Sequence, residues 1–244
     1  LQRSAEAIRL DLAYTLDQFD GIMRATLRAN GQSDAYIRLM VTRGPGDLGL
    51  DPFRAGPPTV CCVTDHLQVY PDEMYREGMP IIVADRPRTP IECLDPRVKS
   101  CNYLNNILAK VEAIDAGCHE AIMLNTRGEV AECTGDNIFI VRDGQIATPP
   151  EDAGILAGVT RGFVMELARE AGIHVEERTL RLDDALNADE VFLTGTAAEV
   201  IAVRSIRRRS GAPIGGEWSE TAIGDGREGE VTRRLREAFH GAIR

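Results

Sequence analysis

Of the 28 basic residues in this 244-residue chain, only Lys99 and Lys110 are lysines. Arginine keeps its proton through the neutral range, whereas a lysine can shed one at a tolerable cost, so side-chain amine chemistry is confined to two positions. Positive charge as a whole is short. The 38 acidic residues leave a net charge of −10, which repels nucleic acid and anionic membrane surfaces. The one dense basic run, Arg207–Arg209, reads as a solvated strand end or turn rather than a phosphate-backbone site. No stretch approaches the ~20 apolar residues of a membrane span, and no signal-peptide pattern opens the chain, so no membrane partner and a cytoplasmic location are expected. Cysteine occurs at 61, 62, 93, 101, 118 and 133, with no C-x-x-C pair and no clustered histidines. Neither a metal site nor a disulfide framework is indicated, and the thiols are expected to be reduced and mostly buried.

What is present describes a globular protein, with 43% hydrophobic residues and room for one large domain or two modest ones. The chain opens Leu1-Gln2-Arg3, without methionine and already in helical pattern, as expected if upstream residues have been removed or left out. Helices are predicted over 4–10 and 16–29, the second stopped by Asn30-Gly31. Residues 36–42 alternate, with Ile37, Leu39 and Val41 on one face and Tyr36, Arg38, Met40 and Thr42 on the other. That second face is either solvated or lines a polar pocket. Short strands are predicted at 59–63 and 81–84 around a helical turn near 73–77. Proline and arginine crowd 86–97, which marks a linker over 89–97 between a small domain, 1–88, and a larger one, 98–244.

In the larger part, Leu104, Ile107, Leu108, Val111 and Ile114 recur at helical spacing up to Gly117. Strands are predicted at 120–124, 129–132, 137–142, 174–180, 190–194 and 199–205, with hairpin turns at 125–128 and at Asp143-Gly144. Helices at 160–171 and 228–241 complete an α+β arrangement rather than the regular alternation of a doubly wound sheet.

Lys99 stands ahead of the helix that starts near residue 104, where the positive end of the helix dipole disfavours an ammonium, the direction a nucleophilic amine needs. On spacing alone an ordinary exposed lysine at a helix start is the simpler reading, and Lys110 reads as a helix-surface residue. Glu132 ends a strand before a Thr-Gly turn, as a solvated carboxylate or a functional one. Ala157-Gly158-Val159-Thr160 begins a helix, whose backbone N–H groups and Thr160 hydroxyl could bind a phosphate or merely form a cap. Thr194-Gly195-Thr196-Ala197-Ala198 ends an apolar strand in small residues, which let a ligand approach the backbone or simply make a turn. Amine, carboxylate, phosphate-binding helix start and small-residue turn together suit pyridoxal phosphate, which needs a partner for its aldehyde, its ring nitrogen and its phosphate.

The blocks V-K-S-C-N-Y-L-N-N-I-L-A-K-V-E-A (98–113), E-C-T-G-D-N-I-F-I-V (132–141), G-I-L-A-G-V-T-R (154–161) and A-D-E-V-F-L-T-G-T-A-A-E-V (188–200) resemble the fold-type IV pyridoxal-phosphate enzymes, specifically the branched-chain amino-acid aminotransferases. A-Y-I-R-L-M-V-T-R-G (35–44) extends the resemblance into the first half. It implies a two-domain α+β fold, with a small α/β domain that is N-terminally incomplete here and a larger domain built on a mixed, barrel-like sheet. It implies that Lys99 forms the Schiff base with pyridoxal 5′-phosphate, that Tyr103 hydrogen-bonds the cofactor's phenolic oxygen, and that Glu132 keeps the pyridine nitrogen protonated. Val159, Thr160 and Thr196 would hold the phosphate. The turn Gly195-Thr196-Ala197 would receive the substrate carboxylate, and Tyr36 and Arg38 would line the substrate pocket, which reverses the solvated reading of their strand face.

Three departures from the family pattern stand out. Cys133 follows the glutamate where glycine is usual and is expected to narrow the space beside the cofactor ring; Ala157 stands where proline is frequent; and the family's phosphate-binding arginine is expected immediately before position 1. The implied activity is ping-pong transamination of a branched-chain L-amino acid with 2-oxoglutarate, as in branched-chain amino-acid biosynthesis. The partners would be amino-acid and 2-oxo-acid substrates and a second copy of the chain, in a homodimer or higher homo-oligomer. A D-amino-acid or (R)-amine transaminase and an aminodeoxychorismate lyase share the scaffold, and a non-catalytic binding protein is the alternative of a different class.

Overall fold

Thr15 starts the first long helix by a reciprocal cap, its Oγ1 accepting from the Gln18 backbone N–H at 3.3 Å while Gln18 Oε1 accepts from the Thr15 N–H at 2.8 Å. Two donors that a helix start would orphan are thereby satisfied. In this computed structural model, which describes residues 1–66, 70–210 and 216–243, the helix so capped is α2 (Leu16–Ala29), preceded by the short α1 (Gln2–Ala7). Strands β1 (Tyr36–Thr42) and β2 (Thr59–Asp65) pair antiparallel, from Tyr36 opposite Asp65 to Thr42 opposite Thr59. Phe19 is the buried anchor of α2. Asn30 Nδ2 donates to Thr64 Oγ1 at 2.7 Å, tying the end of that helix to β2. These elements form one compact unit, Leu1–Gln68, and Val69–Arg244 forms a second.

The second unit contains α3 (Asp72–Glu77), β3 (Met79–Val83), α4 (Leu104–Asp115), β4 (Ala121–Leu124), β5 (Val130–Cys133), β6 (Asn137–Arg142), β7 (Gln145–Thr148), α5 (Val159–Glu170), β8 (Val175–Glu177), α6 (Leu182–Leu186), β9 (Glu190–Gly195), β10 (Glu199–Arg209), β11 (Trp218–Ala222) and α7 (Glu230–Ile243). Its strands make one mixed sheet in the order β5-β4-β3-β10-β9-β6-β7-β8, with β11 added beside β10. The pairs of β3 with β4 and β10, and of β7 with β8, are parallel, and the rest are antiparallel. At the far ends Val130 N donates to Leu180 O, and Glu129 bridges Arg181, so the sheet curls back on itself. One apolar cluster fills the curl, including Ile81, Ile122, Ile138, Leu193 and Ile201. Another, with Phe139, Phe192, Val164, Leu235 and Phe239, seats α5 and α7 on the outer face.

The two units divide at Gln68/Val69, upstream of the 89–97 segment that composition marks as a linker. The reason is β3, whose parallel pairing on both sides carries residues 79–83 into the large sheet. Three elements escape the sequence pattern: β7, α6 and β11 are only four or five residues long. The Asp143-Gly144 turn does join β6 to β7, with φ of +51° and +72° as a two-residue hairpin requires.

The expected burial of the cysteines and the surface position of Lys110 need correction. Only Cys118 and Cys133 are buried; Cys61, Cys93 and Cys101 are exposed and Cys62 is half-buried, because the first pair lies on a two-stranded sheet and the other two in loops. The apolar series on α4 faces outward: Leu104, Ile107 and Ile114 are more than half exposed, while Asn106, Ala109 and Ala113 face the sheet. Lys110 is half-buried, donating to His119 O and lying over the Tyr70 ring. The Arg207–Arg209 run ends β10, where Arg207 pairs with Glu220 at 2.9 Å and Arg209 with Asp85 at 3.1 Å, so most of its charge is neutralised.

Candidate active site

The segment 132–137, the tight turn from β5 to β6, gathers what the sequence singles out in the larger unit. Strand alternation sends Glu132 and Cys133 to opposite faces of β5. Cys133 joins the apolar cluster inside the sheet, where burial pushes its thiol well above the ordinary range. It therefore packs as a hydrophobe and does not narrow a space beside Glu132. Glu132 itself is 5% exposed, which overturns the solvated reading of this carboxylate.

A buried carboxylate persists only with partners, and three donors hydrogen-bond Glu132. Oε1 accepts from Arg88 Nη2 at 2.6 Å. Oε2 accepts from the Leu156 backbone N–H at 3.0 Å and from Asn137 Nδ2 at 3.2 Å, and the field of Lys99 also reaches it. Burial nonetheless wins, and the carboxyl is pushed up to about 7, with Arg88 only partly offsetting the loss of water. This group can therefore hold or release a proton near neutrality.

The supporting side chains were not among the sequence candidates. Arg88 sits in the proline- and arginine-rich stretch, just ahead of the segment read as linker, yet it is buried. Its Nη1 donates to Asn106 Oδ1 at 2.6 Å and its Nε to Gly154 O at 3.3 Å. Asn106 passes the tie onward, Nδ2 donating to Thr134 O at 2.8 Å. Asn137 also donates to Leu156 O at 2.9 Å, and its Oδ1 occupies the place a Cβ at Gly158 would need. The one available signal was arginine and asparagine spaced along segments of otherwise apolar or turn character; no single-residue pattern distinguishes these from surface polar residues.

Lys99 is exposed and precedes α4 by five residues, its Nζ donating to the half-buried Tyr103 Oη at 3.0 Å. Gly158 is the N-cap of α5 and offers no side chain, so the first-turn N–H groups, including those of Val159 and Thr160, have no intrahelical partner. They lie at the end of the helix that attracts anions, where Thr160 also carries its hydroxyl. Val159 is 88% exposed, against 9% for Thr160.

Thr196 is exposed, with Gly195 and Ala197 half-buried, at the tip of the β9–β10 hairpin. This tip reaches the same turn: Asn137 pairs with Thr194 across β6 and β9, and a Cβ at Gly195 would overlap Asp136 Oδ1. Asp136 is in turn held by Tyr70 Oη, which donates to Oδ2 at 2.9 Å. Burial and then the Glu120 carboxylate raise Asp136 to about 7. Tyr36 and Arg38 lie on one face of β1 in the first unit, half-buried and exposed respectively.

The donor set of the larger unit fits pyridoxal phosphate. An amine stands beside a phenol, a buried carboxyl titrates near neutrality, and an uncapped twelve-residue helix opens beside a threonine hydroxyl. Among the described residues no cluster of side chains could hold a metal ion.

The amino-transferase class IV family model matches residues 1–206. A Methanocaldococcus jannaschii protein that carries the branched-chain-amino-acid aminotransferase name provisionally is 44% identical over 98% of this chain and 78% of its own length. The branched-chain-amino-acid aminotransferase of Pseudomonas aeruginosa is 35% identical over 97% of this chain and 73% of its own. Among solved structures, the Escherichia coli branched-chain amino acid aminotransferase superposes with a TM-score of 0.90 at 32% identity, over 98% of this chain and 76% of that one. The T.th. branched-chain amino acid aminotransferase with pyridoxamine 5′-phosphate gives 0.88 at 33% identity, over 99% of this chain and 75% of that one.

Proposed function

Because the chain belongs to the class IV aminotransferases, we propose that it moves the amino group of a branched-chain L-amino acid to 2-oxoglutarate in two alternating half-reactions on one pyridoxal 5′-phosphate. The observation that carries the reading is the pairing of an exposed, phenol-bound amine, Lys99 with Tyr103, with the buried, neutral-range carboxyl of Glu132. When bound, the cofactor supplies an aldehyde carbon for amine exchange and a protonated ring that accepts the electron pair of the broken Cα–H bond.

The protein's own part follows from its groups. Lys99 Nζ would hold the cofactor by its aldehyde and, once freed by the substrate amine, would serve as the base and acid that moves the substrate's Cα proton. Tyr103 Oη orients that amine and the phenolic oxygen. Glu132, oriented by Arg88 and Asn137, would share a proton with the ring nitrogen. The N–H groups of Val159 and Thr160, with the hydroxyls of Thr160 and Thr196, hold the phosphate, and Gly195-Thr196-Ala197 holds the substrate carboxylate. On β1, Tyr36 is a substrate-side residue and Arg38 the partner of the distal carboxylate of 2-oxoglutarate. The exposed apolar face of α4 supports a homodimer, and six free cysteines support a reducing, cytoplasmic setting.

Lys99→Ala tests the reading. We expect loss of the visible absorbance of the cofactor-bound protein and a fall in turnover of about 10²–10⁴-fold; full turnover with the band intact would refute it. Single-turnover absorbance changes with L-leucine, D-alanine and an (R)-amine fix the substrate class: response to L-leucine is expected, and response to D-alanine or the amine alone would reassign the enzyme.

A further inference from the structure

The hairpin that carries Thr196 closes with three residues, Thr196, Ala197 and Ala198, between the paired Gly195 and Glu199. Glu199 has φ of +57°, a left-handed backbone that a Cβ disfavours and that three-residue hairpins ordinarily give to glycine. Its side chain shows what glycine would forgo: His240 Nε2, on α7, donates to Glu199 Oε2 at 2.6 Å. The next residue, Val200, packs with Leu235 and Phe239 of the same helix.

The other end of α7 is fastened to the start of the hairpin. Glu190, which opens β9, accepts from the Val231 N–H at 2.9 Å and from the Thr232 N–H and hydroxyl at 2.8 and 2.7 Å. Helix α7 therefore runs as a brace along β9, tied by Glu190 at one end and by Glu199 at the tip. From the opposite side the tip meets Asp136 at Gly195, and Tyr75 Oη donates to Ala197 O at 3.5 Å. Within it the Thr194 hydroxyl is buried with no hydrogen-bond partner among the described residues.

We propose that Glu199 and His240 form a strut that holds the β9–β10 tip in the conformation with which Thr196 and Ala197 grip anions, the cofactor phosphate and the substrate carboxylate. The inference rests on the functional reading above. Both residues act as positioning residues: neither supplies a group to the anion, and removing the strut leaves every contacting atom in place while letting the tip move.

The test uses the full chain and titrates pyridoxal 5′-phosphate into cofactor-free protein, followed by absorbance without substrate and then by L-leucine kinetics. Glu199→Gly suits the left-handed backbone but removes the strut; His240→Ala removes its other half; His240→Gln keeps an amide donor. For the first two we expect Kd for the cofactor and KM for L-leucine to rise about tenfold, the loss of one charge-assisted hydrogen bond. At saturation kcat stays within about twofold, and in Glu199→Gly relief of the left-handed strain offsets the lost hydrogen bond, so the melting temperature stays close to the parent's. His240→Gln recovers most of the affinity. Kd and KM within about twofold of the parent in both strut-less variants would overturn the strut alone, as would a fall in melting temperature with unchanged Kd. A parent protein that fails to bind the cofactor would overturn the functional reading and the strut with it.

Discussion

Burial holds the Glu132 proton to about 7, well above the 4.5 of a free glutamic acid, and a proton bound more tightly in the folded chain has a stability consequence. The folded state binds the proton more strongly than the unfolded one, so this group's contribution to stability is greatest below about pH 4.5 and is lost as pH rises toward 7. In cofactor-free protein the melting temperature should therefore decline with pH across this window, and the decline should be shallower in Glu132→Gln. Thermal denaturation of both proteins at several pH values checks this; parallel slopes would show that Glu132 is not the titrating group. The legibility of single residues was uneven. Lys99 stood out because the chain has almost no other lysine, and Glu132 because it opens a block of recognisable order. Arg88, Asn106 and Asn137 were invisible: a buried ion pair joins positions 44 residues apart, and arginine is common everywhere in this chain.

At the scale of elements, hairpins and helices with strong punctuation are readable from local chemistry. Thr15 caps α2, Asp143-Gly144 folds β6 onto β7, and β1 keeps the bounds its alternation predicts. Short polar segments such as β11 become strands only because β10 presents an edge to pair with. The start of α5 shows how elements build the site together. Asn137 Oδ1 sits against Gly158 while Nδ2 is committed to Glu132 and to Leu156 O, so it cannot swing aside freely. Gly158→Ala should displace Asn137 or the helix start, costing about 1–3 kcal/mol. It should also weaken binding of pyridoxal 5′-phosphate more than it lowers kcat at saturation. Unaltered melting and unaltered cofactor affinity would show that the close approach carries no weight.

For the whole molecule, the outward face of α4 is the feature that the chain alone leaves unexplained. Leu104, Ile107, Val111 and Ile114 together expose an apolar stripe on a helix that begins five residues after Lys99, and contiguous apolar surface of this kind marks interaction sites. If α4 lies at a homodimer interface, replacing Ile107 and Val111 together with aspartate should leave the fold within about 1 kcal/mol, as exposed substitutions do, while shifting the protein to monomers in sedimentation analysis. Persistence of the dimer would place the interface elsewhere.

The sequence by itself determined the chemistry on offer, one amine in a distinctive block, a carboxylate, a helix start and a small-residue turn, because residue type and order are what chemistry and family resemblance are written in. It also determined the secondary structure wherever caps, turns and alternation act over a few residues. Tertiary structure alone decided which carboxyls are buried enough to titrate near neutrality, and that β3 belongs to the larger sheet. It alone decided that the helical series on α4 faces away from the core, and that a histidine near the end of the chain reaches a strained glutamate at the hairpin tip. Desolvation, pairing and packing depend on what distant segments bring to a point in space, and no local pattern carries that information.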